Sequence, residues 1–117
     1  MKIVLVGAGS ASFGMGTLGD LLSVGRELLD GATLVLHDID AAALEVIAAA
    51  LERVRPPWLR VQSTTDPPRA LDGASYVVLS IEHGNRAETW MQDYDVPIRH
   101  GSRQVYGENG GPGGAFH

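Results

Sequence analysis

The first turn of the chain carries residue types that could bind a diphosphate. An apolar run at residues 3–6 stops at Gly7-Ala8-Gly9, which Ser10-Ala11-Ser12 follows. Gly7 permits a tight turn, and Gly9, which lacks a Cβ, lets the backbone approach a diphosphate closely. A helix that begins here would add free N–H groups and the positive end of its dipole. The pattern predicts a dinucleotide site at Gly7, Gly9, Ser10, Ala11, Ser12 and Phe13.

The glycine motif itself is incomplete. The third glycine of G-x-G-x-x-G falls on Ser12, a small residue that can also cap the helix. Many strand-to-helix turns carry glycine for steric reasons alone, so a purely structural turn is the alternative. The position of the motif directly after a strand favours the cofactor interpretation.

A second group that could do chemistry follows the next apolar strand. Residues 33–37 end in Asp38-Ile39-Asp40. An acid at the tip of the second strand accepts hydrogen bonds from the adenosine ribose and repels a 2′-phosphate, so Asp38, with Ile39 beside it, predicts NAD rather than NADP. The alternative for Asp38 is a helix cap, which is our interpretation of Asp40. We interpret His37 as a satisfied or exposed histidine and not as a metal ligand.

Hydrophobic periodicity predicts the elements that position these groups. Strands are expected near residues 2–6, 33–37, 58–63 and 75–81, the last of them buried, and helices at 13–24, 41–54, 67–71 and 85–95. A sheet order of 3-2-1-4 would bring Ser80, Ile81 and Glu82 beside the glycine turn and the cofactor. The fold class is therefore α/β, a Rossmann-type doubly wound parallel sheet.

Two helices carry residues that need an explanation. Gly14, Gly16 and Gly19 weaken the first helix by about 1 kcal/mol each relative to alanine, so tight packing on the sheet or on a cofactor must offset them. In the last helix, Trp90 and Tyr94 are interpreted as core residues in preference to a stacking platform. Val96-Pro97 is expected to end that helix.

Composition limits the classes of function. The chain has 117 residues, a formal net charge of −5 and no cysteine, which fits one domain and argues against nucleic acid or an anionic membrane as partners. Thiolate chemistry and disulfides are excluded within these residues. No apolar stretch reaches the length of a membrane span, and a cytoplasmic protein is expected. The sequence leaves two alternatives for the glycine-rich segment at residues 107–114, a ligand-binding loop or a disordered chain end.

Taken in order, the motifs resemble a known family. They are Gly7-Ala8-Gly9-Ser10-Ala11, Leu18-Gly19-Asp20, Asp38-Ile39-Asp40, Leu71-Asp72-Gly73-Ala74, Asp93 before Pro97, His100-Gly101 and Gly107-Glu108-Asn109-Gly110-Gly111-Pro112-Gly113-Gly114. The ordered set resembles the N-terminal part of glycoside hydrolase family 4, the NAD- and divalent-metal-dependent glycosidases. Two further segments, Ser80-Ile81-Glu82 and Arg103-Gln104-Val105-Tyr106, look most like its α-galacturonidase-like members.

The resemblance implies a lactate/malate-dehydrogenase-like Rossmann domain, with residues 1–117 as its NAD-binding N-terminal part and a substrate domain to follow. It also implies a redox-elimination mechanism, an exception to the usual pair of carboxylates. In it NAD takes a hydride from C3 of the sugar and returns it, while Mn²⁺ acts as a Lewis acid. The family's metal ligands and catalytic base match no position here, so no catalytic or metal residue is assigned and the chain alone is expected to be inactive.

The same resemblance brings in substrate residues and partners. Glu108 and Asn109 are expected near the sugar, with a structural loop as the alternative. Arg103 could pair with a uronate carboxylate, with a surface role as the alternative. The substrate would be an α-glycoside, with hexuronic acid glycosides as the narrower expectation, and the full-length form a homo-oligomer. Rival functions are an NAD-dependent hydroxy-acid dehydrogenase and a non-catalytic NAD-binding module.

Overall fold

The computed structural model describes residues 1–81 and 84–102 of the chain. The chain divides into two compact units, Met1–Ile81 and Glu82–His117. The first unit holds eight elements in the order β1 (Lys2–Val6), α1 (Phe13–Ser23), α2 (Arg26–Leu29), β2 (Thr33–His37), α3 (Ala41–Val54), β3 (Arg60–Thr64), α4 (Pro67–Leu71) and β4 (Tyr76–Leu79). The described part of the second unit holds α5 (Arg86–Arg99).

The four strands form one parallel sheet in the order β3-β2-β1-β4. At its centre Val4 of β1 pairs with Val35 of β2 and with Val77 of β4. The chain builds β2 and β3 on one side of β1 and then returns to place β4 on the other side. This order confirms the Rossmann-type prediction, and it creates the switch point at which α/β sheets bind ligands.

Helices cover both faces of the sheet, which is why β1 and β2 are apolar at every position between their ends. Val4 and Leu5 are both fully buried although they point to opposite faces. Leu5 belongs to the larger cluster, which side chains from α1, α2 and α3 complete. Val4 and Val35 pack against Ala70 of α4 in the smaller cluster. The unbroken apolar run therefore indicated a strand buried on both sides.

Helix α3 has the bounds that the sequence predicts. The Asp40 side chain accepts hydrogen bonds from the backbone N–H groups of Ala42 and Ala43, both at 3.0 Å, so the interpretation of Asp40 as a cap is confirmed. At the other end Arg55 adopts an extended conformation before the two prolines, as a residue that precedes proline prefers.

The fourth strand differs from the expectation. β4 is shorter than predicted, and the buried interpretation is wrong, because Tyr76 and Leu79 are each 63% exposed. Among the described strands β4 pairs only with β1, so one edge and much of its side-chain surface have no cover in this part of the chain. An apolar composition indicates a strand but does not reveal how many neighbours it has. β3 also begins later than expected, at Arg60.

Helix α5 continues through Pro97 to Arg99, so the predicted end at Val96-Pro97 is wrong. Proline removes only its own N–H, and here it lies in the last turn, where its carbonyl accepts from the N–H groups of His100 at 3.1 Å and Ser102 at 2.9 Å. The core interpretation also fails for Tyr94, which is 40% exposed. Trp90 is half-buried, and the Arg86 guanidinium lies 5.7 Å from its ring centroid.

The cap of α3 provides a stability test with a built-in control. Asp40→Ala removes two hydrogen bonds and should lower the free energy of unfolding by about 1 kcal/mol in urea titrations. Asp66 occupies the same position before α4, but its side chain makes no cap hydrogen bond. Asp66→Ala should therefore cost less than about 0.5 kcal/mol. Equal losses in the two variants would contradict the role given to Asp40.

Candidate functional site

The groups singled out in the sequence come together at the carboxyl end of the sheet. The glycine turn follows β1, Asp38 and Ile39 follow β2, and Ser80 follows β4. Ser80 donates its N–H to the Val6 carbonyl at 2.9 Å, and a Cβ on Gly7 would overlap the Ser80 carbonyl oxygen. Gly7 also has φ +87°, a conformation that favours glycine. Gly7 is therefore required both for the turn and for the close passage of the chain after β4.

The glycine turn is held in place by the end of β2. The N–H groups of Gly7 and Ala8 both donate to the His37 carbonyl oxygen, at 2.9 and 3.0 Å. The next N–H, that of Gly9, donates to Oδ2 of Asp38 at 2.8 Å. Three successive amides of the turn are thus bound by the last residue of β2 and by the residue that follows it, which fixes the conformation of the turn.

Gly9 lacks a Cβ for a reason that the structure makes visible. A Cβ there would lie 2.8 Å from Oδ2 of Asp38 and 2.9 Å from the Cβ of Ala43 in α3. The position is glycine because the acid and the helix both come this close. The further prediction, that Gly9 also lets a diphosphate approach, remains a prediction.

Two backbone N–H groups in the segment before α1 have no acceptor among the described residues. The Ser10 N–H donates to the Gly7 carbonyl at 3.3 Å, and the Ser10 hydroxyl accepts from the Phe13 N–H at 3.2 Å. By contrast, the N–H groups of Ala11 and Ser12 have no acceptor within residues 1–81 and 84–102. Ser12 could have capped the helix, but its side chain makes no cap hydrogen bond, and the Ser10 hydroxyl accepts an N–H of the first turn in its place. Exposed donors at a helix start suit an anion.

Asp38 does not cap α3. One of its oxygens accepts from Gly9 and the other from the Asp40 N–H at 3.0 Å. A carboxylate has about four lone-pair sites, so about two remain for a ligand. Ile39, which follows it, is 88% exposed. His37 is buried, and its Nδ1 donates to the Thr64 carbonyl at 2.9 Å, which confirms the interpretation of a satisfied histidine.

Gly14 is the site residue that the motif analysis missed. It is buried in the first turn of α1, its N–H donates to the Ser10 carbonyl at 2.8 Å, and a Cβ would overlap the Ala8 carbonyl oxygen. It therefore does the packing work of the third motif glycine, two positions later than Ser12. The tight packing expected for all three helix glycines holds for Gly14 only, since a Cβ on Gly16 or Gly19 would meet nothing within 4 Å.

The remaining predicted site residues fall into two groups. Ser80 is half-buried, and Ile81 and Phe13 are exposed, at 69% and 38%. Four others lie outside the described residues, namely Glu82, Arg103, Glu108 and Asn109.

Two kinds of feature are absent from the described residues. There is no group of three or more His, Cys, Asp or Glu side chains within this part of the chain that could hold a metal ion. Nor does it contain a helix that is both long and apolar enough to cross a membrane.

Alanine substitutions at the three glycines of α1 should change the free energy of unfolding in different directions. Gly14→Ala would drive a methyl group into the Ala8 carbonyl and should lower the free energy of unfolding by about 1–3 kcal/mol. Gly16→Ala and Gly19→Ala meet open space and should each raise it by about 0.4–1 kcal/mol. Thermal and urea unfolding measure all three. A stabilising Gly14→Ala would show that the close approach to Ala8 is unimportant.

Comparison with known proteins identifies a family for this chain. A family model described as family 4 glycosyl hydrolase matches residues 2–117. An α-glucosidase from Erwinia rhapontici is 49% identical over 120 residues, which cover 99% of this chain and 26% of that protein. An α-galactosidase from Bacillus subtilis (strain 168) is 36% identical over 118 residues, or 98% of this chain and 27% of that protein.

The fold has relatives among solved structures as well. A 6-phospho-α-glucosidase from gut microorganisms, crystallised with NAD and Mn²⁺, is 27% identical and superposes with a TM-score of 0.73 over 98% of this chain and 26% of that one. The chain spans about a quarter of the length of the curated relatives it matches. The match over residues 2–117 confirms the resemblance seen in the sequence: the chain belongs to family 4 of the glycosyl hydrolases.

Proposed function

We propose that this chain is the NAD-binding part of an α-glycosidase that requires NAD and a divalent metal ion. Family membership supports the proposal, together with the relatives named α-glucosidase and α-galactosidase and the structural neighbour that holds NAD and Mn²⁺. The observation that carries it is local. The glycine turn is bonded to an acid at the tip of β2, while the amides of Ala11 and Ser12 have no acceptor among the described residues.

The described residues fit the chemistry of NAD at each part of the adenosine diphosphate. The free N–H groups of Ala11 and Ser12, with the positive end of the α1 dipole, would hold the diphosphate. No acidic residue lies in the first turn of α1 to oppose it. Asp38 would accept from the ribose hydroxyls, and the exposed Ile39 offers an apolar surface for the adenine. Gly7 and Gly9 then shape the turn, because their own amides are already bonded.

Residues are assigned to the nicotinamide side of the cofactor from their position alone. Ser80 and Ile81 follow β4 beside the glycine turn, and we assign them, with Glu82, to that side of the cofactor. NAD, when bound, supplies a group that accepts and returns a hydride; the residues of this chain bind and orient it. We place the Mn²⁺ ligands and the base in sequence C-terminal to this chain.

Two sugar classes are open for the substrate. Pairing of Arg103 with a uronate carboxylate would favour α-linked hexuronic acids, with Glu108 and Asn109 near the sugar. The names of the relatives instead favour neutral α-glucosides or α-galactosides. A homo-oligomeric full-length form and a cytoplasmic location stay predictions.

Cofactor binding can be tested on the chain itself by titration calorimetry. NAD should bind, and NADP should bind at least about tenfold more weakly, because a repulsion of about 1.4 kcal/mol between the 2′-phosphate and Asp38 suffices for that ratio. A chain that binds neither nucleotide, or binds NADP equally well, would contradict the assigned site.

The reaction class needs a chain extended at its C-terminus to the length of its relatives. With NAD and Mn²⁺ it should release nitrophenol from a 4-nitrophenyl α-glycoside without a lasting rise in NADH absorbance, since the hydride returns in each cycle. Nitrophenyl glucoside, galactoside and galacturonide compared side by side identify the sugar. Formation of NADH in proportion to substrate would point to a dehydrogenase, and NAD binding without turnover to a non-catalytic module.

A further inference from the structure

The hydrogen bond between Gly9 and Asp38 gives the acid a role besides ribose recognition. We propose that Asp38 is a positioning residue, which sets the glycine turn so that the amides after it can bind the diphosphate. The inference rests on the proposed function, and it adds an effect of Asp38 on a part of the cofactor that the acid does not touch.

The contact is built on both oxygens of the carboxylate. Oδ2 accepts from the Gly9 N–H at 2.8 Å, and Oδ1 accepts from the Asp40 N–H at 3.0 Å. A bond from an N–H group to an ionised carboxylate is stronger than one between neutral groups. The Cβ position of Gly9 is closed by Oδ2 of Asp38 and by Ala43. The turn and the acid are therefore in direct contact through both a hydrogen bond and van der Waals packing.

This bond differs in kind from its two neighbours. Gly7 and Ala8 donate to the backbone carbonyl of His37, and any residue at position 37 would supply that acceptor. Gly9 donates to a side chain, so its anchor depends on the residue at position 38. A substitution that removes both side-chain oxygens of Asp38 releases one of the three anchors of the turn and leaves the other two intact.

Gly9 is also the anchor nearest to the free donors. Ser10 follows it directly, and the Ser10 hydroxyl and carbonyl receive the N–H groups of Phe13 and Gly14. The segment between these fixed points carries the free amides of Ala11 and Ser12. Neutral amides bind an anion well only when they are held in the right direction. Loss of the Gly9 anchor should therefore weaken diphosphate binding even where no ribose hydroxyl is present.

Ligands with and without the ribose hydroxyls separate the two roles. Calorimetry would compare ADP with 2′,3′-dideoxyadenosine 5′-diphosphate on the wild-type chain and on Asp38→Ala. If Asp38 acts through ribose alone, the substitution leaves the affinity for the dideoxy ligand unchanged. If it positions the turn, that affinity also falls, by about tenfold, the size expected for one lost hydrogen bond to a charged group.

Two further variants control for charge and folding. Asp38→Asn removes the charge but keeps one oxygen acceptor for Gly9, so it should lose less affinity for the dideoxy ligand than Asp38→Ala. Asp40→Asn removes one charge from the same loop, retains a good cap residue and does not touch Gly9. Its affinity for the dideoxy ligand should stay within about twofold of wild type.

A second readout needs no ligand. Amide hydrogen exchange of Gly9, followed by NMR, should accelerate about tenfold or more in Asp38→Ala and stay unchanged in Asp40→Asn. The positioning role would be overturned if Asp38→Ala bound the dideoxy ligand as tightly as the wild type does, or if its Gly9 amide exchanged at the wild-type rate. In that case binding of ADP and NAD by the wild type would leave the proposed function standing. A wild-type chain that binds neither diphosphate would overturn both.

Discussion

The site depends on backbone pairing that continues past the end of the strands. β1 and β2 are covered on both faces, so their polar backbone groups must find partners within the sheet. The His37 carbonyl, at the last position of β2, accepts from both Gly7 and Ala8. The backbone hydrogen bonding between β1 and β2 therefore extends into the glycine turn, so the sheet largely fixes where α1 begins. A ligand at this edge meets donors whose positions the core has already set.

Three glycines near the turn each make room for a different neighbouring group. Gly7 makes room for the Ser80 carbonyl, Gly9 for Asp38 and Ala43, and Gly14 for the Ala8 carbonyl. A motif written as a spacing of glycines thus stands for a set of contacts with separate neighbours. The third contact is made here from a position two residues later than the motif states, which is why Ser12 can replace glycine without loss of the packing.

The sequence predicted those features that local chemistry decides. β2 and α3 have the expected bounds, because each has a clear hydrophobic period and α3 has a capping acid and a proline stop. The burial of β4 was wrong because it depends on the number of neighbouring strands. The sequence could not single out Gly14 among the glycines of α1, because Gly14 differs from the others only in its contact with the Ala8 carbonyl. The sequence placed Asp38 at the tip of β2, but its bond to Gly9 could not be predicted, because it depends on how two loops meet.

The composition of the turn explains why orientation matters more than charge at this site. Residues 7–14 contain no Lys, Arg, Asp or Glu, so the turn offers an anion only amides, hydroxyls and the helix dipole. Such donors are weak singly and act together when they converge. At the proposed diphosphate site an acid would be tolerated because Asp38 is held by two N–H groups, which offset part of its charge. In the proposed role, the same two bonds would make the acid part of the structure that orients the free amides, in place of a group that only repels the diphosphate.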